Sequence, residues 1–278
     1  MDYHLLQSPT NPSNGLDRLA LRQVNHNFCI RSFVMSVTNA NSNLEQAESL
    51  TDVYYLHLSP TDHPISELEL SILSLSEREQ INRLRQSADR FSYARAHILL
   101  RQILGQRLDY SASKLQFSKT SAGKPFLSMP VGLPSLEFNL THCESMVACA
   151  ISHTPVGIDV EPNHRILDLD TIRHILHESE LRTIEELKIP ERTRLALQFW
   201  TCKEAALKAI GIGLLVEPNE VVINIEQNTH PHAQLISKAG TLPTRIELFP
   251  NQLPNSGHAL SIACLNTVRP AIILHACT

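Results

Sequence analysis

Residues 146–162 read MVACAISHTPVGIDVEP: two apolar runs of strand length, MVACAIS and VGIDV, separated by His153, Thr154 and Pro155. Short, bounded apolar runs of this kind predict strands, and the residues between them supply a turn. Asp159 and Glu161 stand two positions apart in the second run. Residues i and i+2 of an extended strand project to one face, so two carboxylates there can meet one cation, or can simply face solvent as charges usually do. Pro162 interrupts regular pairing just after them and puts the acids at a strand end where a ligand has access. Hard oxygen ligands with room for water and substrate phosphate suit Mg2+.

Upstream, strands are expected at Asp52–Leu58, Lys114–Phe117 and Leu136–Leu140. Between the first two, Ser76-x-x-Glu79 has capping-box spacing, and Leu84, Phe91, Ala94 and Ile98 recur at helical intervals through an Arg-rich stretch ending near Gly105, which predicts a long or broken helix. Downstream, Leu169, Ile172 and Leu176 predict a short helix and residues 191–210 a longer one, followed by strands in VVINI, RIELF, ALSIAC and AIILHA. The order of elements is alike in the two halves. The reading is an α+β protein of two similar α/β lobes in a pseudo-two-fold arrangement, with the active site between them. Residues 51–153 form the first lobe and 154–278 the second. Residues 1–50, rich in Asn, Ser, Gln and Thr, are an extension expected to be poorly ordered.

Forty residues beyond the acid pair, residues 199–214 read FWTCKEAALKAIGIGL. The stripe Leu195, Phe199, Cys202, Ala206 and Ile210 predicts the buried face of this helix, while Trp200, Glu204 and Lys208 share another face at i, i+4 and i+8. Glu204 and Lys208 read equally as a surface ion pair or as a metal ligand beside a phosphate-binding ammonium.

Composition excludes several classes of function. A net charge of -4 gives no electrostatic ground for a nucleic-acid partner. The sequence holds no apolar run of about 18 residues or more and no basic, then apolar, leader, so a cytoplasmic protein without a membrane partner is expected. The six cysteines include no C-x2-C pair and read as reduced thiols.

GIDVEP followed by FWTCKEAALK closely resembles the paired signatures of Sfp-type phosphopantetheinyl transferases. Two upstream segments agree: AGKPFL, with Lys124 and Pro125, resembles the family's G-K-P element, and FNLTHC, residues 138–143, its F-N-[IL]-S-H-[ST] element. The resemblance implies transfer of 4'-phosphopantetheine from coenzyme A to a serine of an apo acyl or peptidyl carrier protein, with release of adenosine 3',5'-bisphosphate. It implies that Asp159, Glu161 and Glu204 hold Mg2+ against the pyrophosphate, that Lys203 and Lys208 contact phosphates, and that Lys124 and Pro125 line the adenine end. Thr141 and His142 would contact the nucleotide phosphates. Thr141 stands where Ser is usual and keeps the hydroxyl, whereas Cys143 replaces Ser or Thr with a weaker donor. The family's base aligns with Glu180, with Glu178 its neighbour. Arg83 and Arg90 are taken from the Arg-rich stretch for the terminal phosphate of coenzyme A.

The carrier is expected between Asp168 and Arg192, where Leu181, Ile184 and Leu187 would form an apolar rim or else pack on their own core. The chain length resembles the monomeric, two-lobed members of the family, so a monomer is expected. Two alternatives use part of the same residues. One is a non-catalytic coenzyme A or nucleotide-binding module, against which the complete D-x-E plus K-E-x-x-x-K set argues. The other is a different metal-dependent phosphotransferase or phosphatase, which gives no reason for the G-K-P and F-N-L-T-H elements.

Overall fold

The structure of the protein is a computed structural model that describes residues 20–21, 30–35, 50–59, 62, 64–129, 136–212, 215–225, 230–237, 240–241, 246–250, 252–253, 256–265 and 270–277. Among these residues it is built on two six-stranded sheets and a separate hairpin. The first sheet contains β1 (Ala20–Leu21), β2 (Ile30–Met35), β3 (Leu50–His57), β6 (Glu137–Cys143), β7 (Met146–Ser152) and β14 (Ala271–Cys277), in the order β1-β2-β14-β3-β7-β6. The second runs β11-β10-β12-β13-β8, with β9 also paired to β10. Its strands are β8 (Val156–Pro162), β9 (Val221–Asn224), β10 (His232–Ser237), β11 (Gly240–Thr241), β12 (Ile246–Phe249) and β13 (His258–Cys264). The hairpin is β4 (Gln116–Lys119) with β5 (Pro125–Met129).

The α+β class therefore holds, with one long helix to each sheet. Helix α3 (Ser87–Arg107) packs on β6 and β7, and α6 (Ile189–Ile210) on β8 and β13. The sheets face each other through Val53, Met146, Ala148 and Ala150 on one side and Ile158, Val160, Leu260 and Ile262 on the other. Alternation then turns the opposite faces to the helices: Val147, Cys149 and Ile151 lie in the cluster under α3, and Ala259 and Ala263 in the cluster under α6. The order of layers is helix, sheet, sheet, helix.

Two expectations about organisation change. The last strand does not stay with the second half: β14 pairs in parallel with β3 and antiparallel with β2, closing the first sheet. Parts of residues 1–50 are strands too, since β2 pairs with β14 and β1 with β2. The rest of that segment lies outside the described residues.

The Arg-rich region is two helices, α2 (Leu75–Arg83) and α3, broken at residues 84–86. The cap is two residues earlier than expected: Ser74 Oγ accepts from the Glu77 amide at 3.3 Å, and Glu77 Oε2 accepts from the Ser74 amide at 2.7 Å. SLSERE offers the same spacing twice, and burial of Glu77 selects the first. Three shorter α-helices complete the set among the described residues, α1 (Glu67–Leu70), α4 (Leu169–Ile175) and α5 (Glu178–Glu185). No helix among the described residues is long and apolar enough to cross a membrane.

Gly157 sets the distance between β8 and α6. A Cβ there would lie 1.9 Å from the Ala205 carbonyl oxygen and 2.5 Å from the Ala209 nitrogen, so only hydrogen lets the helix backbone come this close.

Candidate active site

The four sequence motifs converge on the free edge of one strand. Among the described residues β8 pairs with β13 on one side only, which leaves its other row of backbone groups needing partners. Side chains provide them. Asn139 Oδ1 accepts from the Ile158 amide at 3.0 Å, and Thr141 Oγ1 accepts from the Val160 amide at 3.3 Å. The i, i+2 spacing on β6 thus matches the i, i+2 spacing on β8. Pro162, next in the series, has no N–H to satisfy, so proline is tolerated at this edge and β8 continues through it. The carbonyls are met by ammonium groups: Lys124 Nζ donates to Val156 at 3.4 Å, and Lys208 Nζ to Ile158 at 3.2 Å.

Asp159 and Glu161 project from β8 toward α6. Asp159 is buried, and its Oδ1 accepts from Lys208 Nζ at 2.6 Å and from Thr141 Oγ1 at 3.3 Å. Its Oδ2 is buried with no hydrogen-bond partner among the described residues. Burial raises the Asp159 pKa above the ordinary carboxylate range and the Glu161 charge adds to this, against the opposing pull of Lys208. Glu204, half-buried on α6, is raised in the same way, first by burial and then by Asp159. Glu161 Oε1 accepts from Trp200 Nε1 at 3.2 Å and from the Arg165 guanidinium, which lies 5.9 Å from the centre of the Trp200 ring.

Asp159 and Glu204, whose pKa values are both raised, stand with Glu161 in one acid cluster that includes an orphaned buried oxygen, a donor set deficient in positive charge. Hard carboxylate oxygens are the chemistry Mg2+ takes. Among the described residues no three His, Cys, Asp or Glu side chains are already drawn into a coordination shell. Asp159, Glu161 and Glu204 fit such an ion by chemistry and would close on it together with water and phosphate oxygens.

Beside this cluster lies a cavity of about 690 Å³ between α2, α3, β6 and the β4–β5 hairpin, lined among others by Arg83, Tyr93, His97, Lys119 and Pro125. His142 joins it to the acids. It follows Thr141, its Nδ1 lies 3.2 Å from Ser92 Oγ, and Tyr93 meets its ring edge-on at 6.1 Å. Tyr93 also stacks on His97 at 4.2 Å. Below them, Arg101, 1% exposed, donates to Glu77 at 2.8 Å and to the carbonyls of Ala112 and Leu115, and forms the cavity floor.

Several expected residues have other partners. Lys203 and Glu180 are both buried, with Lys203 Nζ 2.7 Å from Glu180 Oε2. Lys203 also donates to the carbonyls of Pro218 and Val221, while Glu180 accepts from the His177 and Ile223 amides. Neither side chain is open to a phosphate or a carrier hydroxyl. The base expected at Glu180 and the phosphate contact expected at Lys203 are therefore revised to a buried joint between α5, α6 and β9. Glu178 is exposed and paired with Arg182.

Thr141 is 5% exposed and is occupied by β8, not turned outward to a phosphate. Arg90 Nη1 donates to the Leu84 and Arg85 carbonyls after α2, so of these two expected arginines it is Arg83 that lines the cavity. Lys124 Nζ is engaged with backbone at Val156 and, at 3.2 Å, at Ala209, so only its neighbour Pro125 lines the cavity. Ile184 is 2% exposed and Leu181 and Leu187 pack on the same core, so the apolar-rim reading of these three gives way to the core reading. The exposed apolar side chains of that region are Ile166, Leu169 and Ile189.

The sequence did not single out Asn139, Trp200, Arg165, Tyr93, His97 or Lys119 for these roles. Two of them carried a signal: Trp200 shares a helix face with Glu204 and Lys208, and Asn139 lies within the FNLTHC element.

Comparison with known proteins places these features in context. Residues 155–263 match the model of the 4'-phosphopantetheinyl transferase superfamily, and residues 58–154 that of the N-terminal region of 4'-phosphopantetheinyl transferases. The 4'-phosphopantetheinyl transferase HetI of Nostoc sp. is 31% identical over 169 residues, covering 59% of this chain and 71% of the relative. The transferase gsp of Aneurinibacillus migulanus is 32% identical over 130 residues, 47% of this chain and 52% of its own. The transferase Sfp of Bacillus subtilis is 26% identical over 171 residues, 60% of this chain and 75% of its own.

Proposed function

The chain belongs to the 4'-phosphopantetheinyl transferase superfamily, and from that premise we propose that it moves phosphopantetheine from coenzyme A to a serine of an apo acyl or peptidyl carrier protein, with Mg2+ as cofactor. The observation that carries the site is the free edge of β8, where Asp159 and Lys208 meet at 2.6 Å beside an orphaned carboxylate oxygen.

In this reading the nucleotide end of coenzyme A occupies the 690 Å³ cavity, a volume ordinary for a cofactor-sized site. Pro125 walls it, Arg83, Lys119 and His142 supply positive or hydrogen-bonding groups at its edge, and the pyrophosphate reaches the acid cluster past His142. The carrier serine oxygen attacks the β-phosphorus, its hydroxyl proton passes to solvent water, and the bond from that phosphorus to the bridging oxygen breaks. Adenosine 3',5'-bisphosphate leaves. Asp159, Glu161 and Glu204 would hold Mg2+, which would supply charge neutralisation to the pyrophosphate oxygens. Lys208, fixed by the Ile158 carbonyl and Asp159, holds a positive charge where phosphate charge must be offset, so the chain contributes chiefly positioning and electrostatics. Ile166, Leu169 and Ile189 form the apolar surface offered to the carrier. The protein acts as a monomer in the cytoplasm.

The test is to incubate the purified protein with an apo carrier, coenzyme A and Mg2+ and to weigh the carrier by mass spectrometry. Gain of one phosphopantetheine is expected. An unchanged mass across several acyl and peptidyl carriers, with coenzyme A still bound, would favour a binding module instead.

A further inference from the structure

We infer that Thr141 is a positioning residue that selects which oxygen of Asp159 is offered to the cation, and that it does not bind the nucleotide. The inference rests on the proposed reading of the acid cluster.

Three observations carry it. Thr141 Oγ1 is held on both sides: it accepts from the Val160 amide at 3.3 Å and, its hydroxyl hydrogen thereby directed, donates to Asp159 Oδ1 at 3.3 Å. The residue is 5% exposed, which leaves no face of the hydroxyl for a phosphate. Lys208 adds its own bond to the same Oδ1 at 2.6 Å, while Oδ2 has no partner among the described residues. Two donors on one oxygen and none on the other fix the rotation of the carboxylate and leave Oδ2 as the free ligand atom. Hydrogen bonds of this kind to a metal-binding carboxylate set its orientation, and their removal typically costs about 10–100-fold in metal affinity.

Asn139 provides an internal control. It makes the equivalent bond to the Ile158 amide at 3.0 Å from the same strand, yet none of its hydrogen bonds reaches Asp159. Joining β6 to β8 and orienting Asp159 are thus two separable tasks for β6, the first shared by Asn139 and Thr141 and the second performed from this strand by Thr141, together with Lys208 from α6.

The experiment uses the full chain and Mn2+ as a probe. Free Mn2+ is followed by electron paramagnetic resonance during titration of the protein with coenzyme A present, and coenzyme A affinity is measured separately in chelator by calorimetry. Thr141→Val is expected to weaken Mn2+ about tenfold or more and to leave coenzyme A affinity in chelator within about twofold of wild type. Thr141→Ser should restore Mn2+ binding. Asn139→Leu should lower Tm without moving the Mn2+ curve. If Thr141→Val does not fold, Thr141→Cys, with a weak donor of similar size, is read the same way. Weakened coenzyme A binding in chelator with an unmoved Mn2+ curve would place Thr141 on the nucleotide and overturn the inference. A wild-type protein that never modifies a carrier would count against the proposed function, and this pair of binding measurements would still decide the role of Thr141.

Discussion

Lys203 and Glu180 form an ion pair at 2.7 Å in which Lys203 is 0% and Glu180 3% exposed. Burial lowers the Lys203 pKa, and the adjacent carboxylate keeps it from falling further. With two carbonyls on the lysine and two amides on the glutamate, the pair joins α5, α6 and the start of β9. Removing one partner leaves the other charge buried and uncompensated, a loss of about 3–5 kcal/mol. Glu180→Gln and Lys203→Met should therefore each lower stability in urea by several kcal/mol, and the double variant Glu180→Leu/Lys203→Met by less than the sum. Additive losses would mean that the two do not act as a pair.

Glu204 contributes in the opposite sense. Its pKa is raised above the ordinary 4.5 by burial and then by Asp159. A raised carboxylate contributes stability that is fully present below the ordinary value and is lost as pH rises through the raised one. At neutral pH, without metal, ionised Glu204 is thus a cost. Glu204→Gln should abolish carrier modification while melting at or above wild type, by up to about 2–4 °C for each kcal/mol relieved. A variant that keeps near-normal transfer would remove Glu204 from the metal site.

The acid limb of stability should belong in large part to Glu77. Against the cost of its own burial, hydrogen bonds from His97 and the Ser74 amide and the Arg101 charge bring its pKa down to about 2. A depressed carboxylate contributes stability above its ordinary pKa, and that contribution is lost as pH falls from about 4.5 toward about 2. Melting curves across this window should fall steeply for wild type and less steeply for Glu77→Gln, which starts lower at neutral pH. Parallel slopes would assign the acid limb to other groups.

Arg83 and Arg90 should separate cleanly. Arg83 lines the cavity, so Arg83→Ala is expected to raise KM for coenzyme A about tenfold with little change in kcat, the pattern of lost uniform binding. Arg90 holds two carbonyls after α2, so Arg90→Ala should lower Tm and leave KM near wild type. The reverse pattern would exchange their roles.

Gly157→Ala tests the close approach of β8 and α6. The added methyl would sit 1.9 Å from the Ala205 carbonyl oxygen, and backbone on both sides must move to admit it. A loss of about 3 kcal/mol is expected in urea, with transfer reduced further than folding because Glu204 and Lys208 ride on the displaced helix. A wild-type melting curve would mean that the helix yields freely.

Much of this architecture was legible in the sequence. Strand-length runs such as MVACAIS, and the 3.6-residue stripe of Phe199, Cys202 and Ala206, are local patterns, and local periodicity is what a chain displays directly. Spacing placed Asp159 with Glu161, and Glu204 with Lys208, on shared faces, while their reading as a site came from the family resemblance. The capping box was misplaced by two residues because SLSERE offers two frames with equal local merit, and only burial of Glu77 against Arg101 decides between them.

Tertiary structure decided which polar residues face the site and which face the protein. Lys203 and Glu204 are consecutive, yet about 100° of helical rotation sends one into a sealed ion pair and leaves the other half-buried beside Asp159. Likewise β14 belongs to the first sheet although it ends the chain, because strand pairing joins edges that are close in space and not in sequence. The sequence by itself showed most of the longer elements and the chemistry available on each face, but not β2, β5 or β10. The meeting of β6, α6 and the β4–β5 turn at the unpaired edge of β8 came only with the fold. A free strand edge must be satisfied by whatever donors and acceptors the packed neighbours bring, and no local pattern records which those will be.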